Sequence, residues 1–154
     1  MTSESQAPIA FAHVGLQVAD LDQSIEFYRD LIGLELIERG VRRDAYLKQV
    51  VGQPDVDLDI AVLAVPGEPF LLELLEYLNV DRQQIDPNTV NTGTAHVCFR
   101  VPNVDEVYRR VIAAGYRSVS EPVTPTSGRW TGGRSVYLLD PDEIRVELVQ
   151  PGEL

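Results

Sequence analysis

Apolar and polar residues alternate along two seven-residue segments that are near copies of each other. Residues 12–18 read Ala-His-Val-Gly-Leu-Gln-Val, and residues 95–101 read Ala-His-Val-Cys-Phe-Arg-Val. Alternation with a period of two predicts a strand with one apolar and one polar face. The chain has two histidines, His13 and His96, and they occupy the same slot on the polar face of the two predicted strands.

Helical spacing of apolar residues follows each of these strands. The first helix is predicted to open at Asp20, whose carboxylate suits the positive end of a helix, and to end at Gly33. The second is predicted over residues 103–114 and ends at Gly115. The pattern therefore changes from a period of two to a helical period twice along the chain.

Short apolar runs predict the remaining strands. They lie at residues 9–18, 34–38, 56–65 and 70–77 in the first half, and at 94–101, 116–120, 134–139 and 143–150 in the second. The order β-α-β-β-β occurs twice, and such duplication predicts an α+β fold of tandem βαβββ modules. We expect modules at residues 9–78 and 93–150 with a linker at 79–92, together lining one cleft with a curved mixed sheet.

Two further segments have a weak pattern. Residues 42–54 are interpreted as a partly ordered excursion that ends in a Gly-Gln-Pro turn. Residues 121–133 are rich in Pro, Thr, Ser and Gly and are interpreted as a loop. Both are expected to lie outside the sheet framework.

Composition excludes several classes of function. A net charge of −11 disfavours nucleic-acid binding, because phosphate contacts require a basic surface. No apolar run approaches the roughly 20 residues of a membrane helix. Residues 1–8 carry neither the basic nor the apolar region of a signal peptide, and one cysteine cannot form an intrachain disulfide. These features predict a cytoplasmic protein.

Two glutamates interrupt apolar strands at matching places. Glu73 lies in Phe-Leu-Leu-Glu-Leu-Leu, and Glu147 lies in Ile-Arg-Val-Glu-Leu-Val. A carboxylate in an apolar strand is costly unless it is paired or binds a metal. Strand parity places Glu73 on the face of the histidines and Glu76 on the opposite face. Two imidazoles and two carboxylates suit one divalent ion such as Mn, Fe, Co, Ni or Zn, although each strand histidine alone is more often simply hydrogen-bonded.

Five segments carry a resemblance to a known family. They read Ala-His-Val-Gly-Leu-Gln-Val, Phe-Tyr-Arg-Asp-Leu-Ile-Gly-Leu, Leu-Glu-Leu-Leu-Glu-Tyr, Gly-Thr-Ala-His-Val-Cys-Phe-Arg-Val and Asp-Pro-Asp-Glu-Ile-Arg-Val-Glu-Leu. Over residues 9–150 the chain resembles the vicinal-oxygen-chelate superfamily, which includes glyoxalases, extradiol dioxygenases, resistance proteins and epimerases. The segment at 46–54 further resembles the subgroup of 2-epi-5-epi-valiolone epimerases.

The resemblance implies a metal-dependent isomerase. Its metal ligands would be His13, Glu73, His96 and Glu147, within one chain or across a homodimer. The implied reaction epimerises a carbon next to a carbonyl through a metal-chelated enediolate, with Glu73 or Glu147 as the catalytic base. An extradiol dioxygenase, a glyoxalase-type lyase and a non-catalytic antibiotic-binding protein remain alternatives.

Several other side chains are candidates for binding a small-molecule substrate. Four have the strand parity of the histidines: Gln17, Arg100, Tyr137 and Arg145. Tyr46 is expected at the entrance and Trp130 in a lid. For each, an ordinary surface position is the alternative. Cys98 has the same parity but no basic neighbour in sequence, which disfavours a role as nucleophile.

Overall fold

Residues 9–152 form two four-stranded sheets flanked by helices. We describe the chain from a computed structural model that covers residues 9–152, so the expectation for residues 1–8 lies outside the described part. The first half contains β1 (His13–Gln17), α1 (Leu21–Glu26) with a π-helical continuation (Phe27–Ile32), β2 (Glu35–Arg42), α2 (Ala45–Val51), β3 (Asp57–Ala64) and β4 (Leu71–Leu78). The second contains β5 (His96–Arg100), α3 (Val104–Ala113), β6 (Arg117–Ser118), β7 (Arg134–Leu139) and β8 (Arg145–Gln150).

The two sheets have the same topology. Their strand orders are β1-β4-β3-β2 and β5-β8-β7-β6. The first strand of each half pairs in parallel with the last, and the other pairings are antiparallel. The predicted α+β architecture of two βαβββ repeats is confirmed. Strands stop at Leu78 and resume at His96, while the module boundaries themselves stay a prediction.

Local chemistry explains where the helices begin and end. The Asp20 carboxylate accepts a hydrogen bond from the Gln23 amide at 3.0 Å, and the Asn103 side chain accepts one from Glu106 at the same distance. Both satisfy amides that have no partner inside the helix. The first helix widens into its π-helical turn and ends at Gly33, whose φ of 101° favours glycine.

One apolar core joins the two halves. Buried side chains of α1, its π-helical continuation and α3 form one cluster with the inner faces of both sheets. The strands contribute Leu72, Leu74, Val97, Val146 and Leu148 among others. In each sheet, the histidine lies on the face opposite to the one that packs into this core. The two histidine faces therefore lie on the outside of the shared core.

Three local predictions were wrong. Residues 9–12 are not part of β1, because β1 is an edge strand and its partner β4 begins opposite His13. The second strand continues to Arg42, because it pairs with β3 as far as Leu58, and a bulge at residues 36–38 shifts the side-chain alternation that would have indicated this length. Residues 45–51 form a helix, α2, and none of its side chains is fully buried, which explains the missing apolar stripe.

No helix within residues 9–152 has both the length and the apolar character needed to cross a membrane.

Candidate metal centre and active site

The first half brings His13 and Glu73 together. β1 and β4 run parallel, with Gly15 opposite Glu73 in the register. His13 lies two residues before Gly15 on β1, so its side chain and that of Glu73 are on the same face of the sheet. His13 Nε2 lies 3.4 Å from Glu73 Oε2.

The second half repeats this arrangement. Cys98 lies opposite Glu147 in the parallel pair of β5 and β8. His96 Nε2 lies 3.3 Å from Glu147 Oε2. Sequence duplication is therefore a duplication of geometry, since both halves hold an imidazole nitrogen and a carboxylate oxygen at nearly the same separation.

Both pairs are accessible and suited to a metal ion. The histidine side chains are 46% and 40% exposed, so an ion can reach their nitrogens. The contacts are longer than the ~2.7–2.9 Å of a charge-assisted hydrogen bond. Two donors that each lie about 2.1 Å from one ion, at an angle between octahedral and tetrahedral, are about 3.0–3.4 Å apart. The donor types and separations fit neighbouring ligands of a divalent ion.

The four predicted ligands form two separate pairs. Among residues 9–152, no three His, Cys, Asp or Glu side chains group closely enough to hold one metal ion. The shared core accounts for this separation, because each pair lies on the face of its sheet that points away from that core. A single chain thus presents two separate histidine–glutamate pairs.

Polar groups surround the second pair. Ser135 Oγ donates to Glu147 Oε1 at 3.4 Å, and the Tyr137 hydroxyl lies 3.5 Å from His96 Nε2. The tyrosine and imidazole rings meet edge to face, with centroids 5.3 Å apart. Partial burial raises the pKa of Tyr137, and the negative charge of Glu147 adds a smaller rise. The hydroxyl therefore stays protonated and remains a hydrogen-bond donor.

Cys98 is not an activated nucleophile. Desolvation raises the pKa of its thiol to about 12, and the charge and hydrogen bonding of Glu147 act in the same direction. Because the thiolate is the reactive form, this environment suppresses reactivity. The structure thus agrees with the weak case for Cys98 as a nucleophile that the sequence gives.

The substrate-binding candidates occupy different places. Tyr137 is close to a histidine, and Arg145 lies opposite His96 in the strand register. Gln17 and Arg100 are exposed at the far ends of the two histidine strands. The Arg100 guanidinium is 3.8 Å from Glu68.

Tyr46 and Trp130 lie outside the sheets. Tyr46 is on α2 and is 64% exposed. Trp130 lies in the loop before β7, where the Arg129 guanidinium stacks on its ring at 5.3 Å. Their roles at an entrance and in a lid stay predictions.

Glu76 has a structural role. Its Oε2 accepts from the Leu21 amide at 3.0 Å, which stabilises the start of α1, and its Oε1 lies 3.5 Å from Arg82. The sequence predicts that Glu73 and Glu76 lie on opposite faces of their strand, and the structure confirms this.

Sequence reasoning missed a buried polar contact between the halves. The Tyr28 hydroxyl donates to Asp140 Oδ2 at 2.8 Å, and Asp140 Oδ1 accepts from the Asp142 and Ile144 amides. Burial raises the pKa of Asp140 to about 6, although these hydrogen bonds oppose the shift. Tyr28 fits the apolar stripe of the first helix and Asp140 fits a turn, so neither position indicated this contact. Ser135 was also missed, although its parity with Tyr137 was a usable signal.

Comparison with known proteins gives the family. The sequence profile of the Glyoxalase/Bleomycin resistance protein/Dioxygenase superfamily matches residues 10–148. A 2-epi-5-epi-valiolone epimerase of an Actinomyces species is 34% identical over 146 residues, which cover 92% of this chain and 79% of that protein. A lactoylglutathione lyase of Arabidopsis thaliana is 29% identical, over 92% of this chain and 44% of the lyase.

A solved structure shows the same fold. The crystal structure of a glyoxalase family protein from Bacillus cereus superposes with a TM-score of 0.82 at 23% identity, and the alignment covers 99% of this chain and 100% of that one. At that identity the likeness concerns the fold alone. The profile match over nearly the whole chain, together with the epimerase at 34% identity, shows that the chain belongs to the glyoxalase/bleomycin resistance protein/dioxygenase superfamily.

Proposed function

We propose that the protein is a divalent-metal-dependent epimerase that inverts a carbon next to the ketone of a polyhydroxylated ring. 2-epi-5-epi-valiolone is the first candidate substrate, by similarity to the epimerase described above. The observation that carries the proposal is the presence of two matched imidazole–carboxylate pairs, at 3.4 and 3.3 Å. The cytoplasmic location predicted from the sequence stays a prediction.

The proposed active site forms between two copies of the chain. His13 and Glu73 of one copy would face His96 and Glu147 of the other, which completes a set of four ligands that one copy does not assemble. A twofold axis repeats any such contact, so a homodimer has two equivalent sites. β1 and β5, which carry the histidines, are edge strands, and their outer edges are available to a second chain.

The residues divide the chemistry between them. A bound divalent ion supplies positive charge that stabilises the negative charge developing on the substrate oxygens. One carboxylate takes the proton from the carbon next to the ketone, and the electron pair moves to the carbonyl oxygen and gives an enediolate of the substrate. A proton delivered to the opposite face restores the ketone with inverted configuration. General acid–base catalysis of this kind contributes roughly 10²–10⁴-fold.

Incubation of the purified protein with 2-epi-5-epi-valiolone in D₂O tests the reaction. NMR should show deuterium at the epimerised carbon, because the abstracted proton exchanges with solvent. His96→Ala is the matched control and should abolish both turnover and incorporation. Product without solvent deuterium would rule out proton abstraction.

The other reaction classes give different results in parallel assays. A dioxygenase loses activity without oxygen, whereas the epimerase is unaffected. A lyase of the second relative's type forms lactoylglutathione. A non-catalytic binding protein is stabilised against heat by a ligand that it does not consume. Any of these outcomes, in place of epimerisation, would replace the proposed reaction.

Mixed dimers test the intermolecular site. His13→Ala and His96→Ala homodimers each have two damaged sites. In a dimer of one chain of each kind, one site has both changes and the other is intact, so about half of the wild-type activity and metal content should return. Mixed dimers purified by two different tags provide the measurement. No recovery of either quantity would place the site within one chain.

A further inference from the structure

Arg145 is a half-buried cation without a carboxylate partner in the part of the chain that the structure describes. The sequence has 24 Asp and Glu residues against 13 Lys and Arg, so carboxylates are plentiful. Three cations have no carboxylate of residues 9–152 within 4.0 Å: Arg109, Arg129 and Arg145. Arg109 and Arg129 are exposed and keep their hydration, whereas Arg145 loses part of it. Partial burial of an unpaired charge costs free energy, which a bound anion would recover.

The strand register places Arg145 beside one of the histidine–glutamate pairs. Arg145 lies opposite His96 in the parallel pair of β5 and β8, where neighbouring strands are about 4.8 Å apart. It precedes Glu147 by two residues on β8, so its side chain leaves the sheet on the same face as that carboxylate. A substituent of a substrate bound at this pair is therefore within reach of the guanidinium.

Acceptors within the chain leave most of this guanidinium unused. Its one side-chain hydrogen bond among residues 9–152 goes to the Glu143 carbonyl oxygen, at 3.4 Å. Asp86 in the linker senses the charge of Arg145, but both of its oxygens accept bonds of 3.0 Å within its own turn, from the Asn88 amide and the Asn91 side chain. The bond from Asn88, followed by that from Asn91, lowers the pKa of Asp86 more than Arg145 does. Of the five N–H donors of Arg145, most therefore remain free for a ligand.

The fold itself does not require a cation at this place. In the first half, Leu71 lies opposite His13 at the equivalent point of the register and is also half-buried. A sheet of the same topology thus forms with a leucine there. The arginine is also presented from a fixed turn, because the Ile144 amide donates to Asp140 Oδ1 at 2.8 Å. These observations favour a role in binding rather than in packing.

We propose that Arg145 binds an anionic substituent of the substrate, a phosphate monoester or a carboxylate, and so makes the protein selective for acidic ketones. This inference rests on the proposed function and narrows its substrate class. A guanidinium donates to two oxygens of either group at once, which a neutral hydroxyl does not allow. An acidic ring ketone should therefore bind more tightly than 2-epi-5-epi-valiolone, which is neutral.

Three polyhydroxylated ketones that differ in charge test this selectivity: D-fructose, D-fructose 6-phosphate and 5-keto-D-gluconate. Ligand-observed NMR titrations of the purified protein, with Zn²⁺ added, give the three affinities. At least one acidic probe should bind about 10–100-fold more tightly than fructose, the range expected for hydrogen bonds to a charged group. The tighter of the two identifies the substituent as phosphate or carboxylate. Equal affinities for all three would overturn the proposal.

Variants separate the guanidinium from the metal ion as the source of this preference. Arg145→Met keeps a long unbranched side chain without the charge, and it should bring the affinity for the acidic probe down to about that for fructose. Arg109→Met, which removes an exposed arginine of α3, is the matched control and should keep the full preference. A preference that survives in Arg145→Met would show that the metal alone attracts the anion, and would overturn the proposal.

A second substitution keeps the test decisive if Arg145→Met does not fold. Arg145→Lys retains the charge but loses the two-pronged geometry, so the preference should fall several-fold. An undiminished preference in that variant would contradict the proposed contact.

Failure of this inference is distinguishable from failure of the proposed function. If 2-epi-5-epi-valiolone gains solvent deuterium while the three probes bind alike, only the selectivity for acidic ketones fails. If the acidic probe binds through Arg145 but no ketone exchanges deuterium, the proposed reaction fails and the anion site stands.

Discussion

The inner faces of the two sheets match each other, whereas their outer faces differ. Leu74 and Leu148 occupy equivalent buried positions in the shared core. On the outer faces the histidine–glutamate pairs also match, but their neighbours do not: Gly15 corresponds to Cys98, Ile60 to Ser135 and Val62 to Tyr137. The two halves are alike in the buried core and at the proposed metal ligands, and they differ in the side chains that surround those ligands.

The largest expected effect comes from core substitutions on the matching inner faces of the two sheets. Leu74→Ala and Leu148→Ala each remove a fully buried side chain from one core, and each should lower the free energy of unfolding by about 2–5 kcal/mol. Because the core is shared, urea denaturation should show one transition in both variants. Two separate transitions would mean that the halves unfold independently.

The next effect concerns Asp140, which has no buried counterpart in the turn of the first half. Its native pKa of about 6 lies above the ordinary 3.8, so the native state binds the extra proton. The contribution of this bound proton to the free energy of unfolding is complete below pH ~4 and is lost as the pH rises through about 6. A shift of about two pH units corresponds to about 3 kcal/mol.

Unfolding free energies measured between pH 4 and 8 check this dependence. Asp140→Asn should flatten the pH dependence. Tyr28→Phe should move it to higher pH, because the hydrogen bond from Tyr28 lowers the pKa of Asp140 in the wild type and the variant lacks this bond. Glu68→Gln, in the exposed turn of the first half, is the matched control and should leave the profile unchanged. An unaltered profile in Asp140→Asn would contradict the assignment.

The smallest effect concerns two ion pairs that each join a strand arginine to an aspartate on a helix, one in each half. Arg39 contacts Asp22 on α1, and Arg134 makes two hydrogen bonds, at 2.9 and 2.7 Å, to Asp105 on α3. Both pairs are at the surface, so Arg39→Met and Arg134→Met should each cost less than about 1 kcal/mol. Thermal denaturation at low and high salt measures the loss, and a much larger cost in one variant would show that the two pairs are not equivalent.

Sequence patterns predicted the fold well because duplication and periodicity report directly on burial. The β-α-β-β-β order and the common face of the histidines and glutamates are both present in the structure. Features that depend on partners far along the chain were not predictable. Pairing with β3 extends β2 to Arg42, and Tyr28 meets Asp140 across 112 positions. Likewise, the separation of the two histidine–glutamate pairs follows from how the two sheets share one core, which residue spacing does not encode.

The edge position of the histidine strands has a consequence for protein quality control. β1 and β5 are five-residue strands, and each is first in the order of its sheet. In the described part of an isolated chain, both histidine strands therefore leave an open edge, which is a template for wrong pairings, and their shortness limits the backbone hydrogen bonds that a foreign strand can gain. A new chain is most exposed to aggregation before its edges are covered, so synthesis rate and chaperone supply would affect its yield.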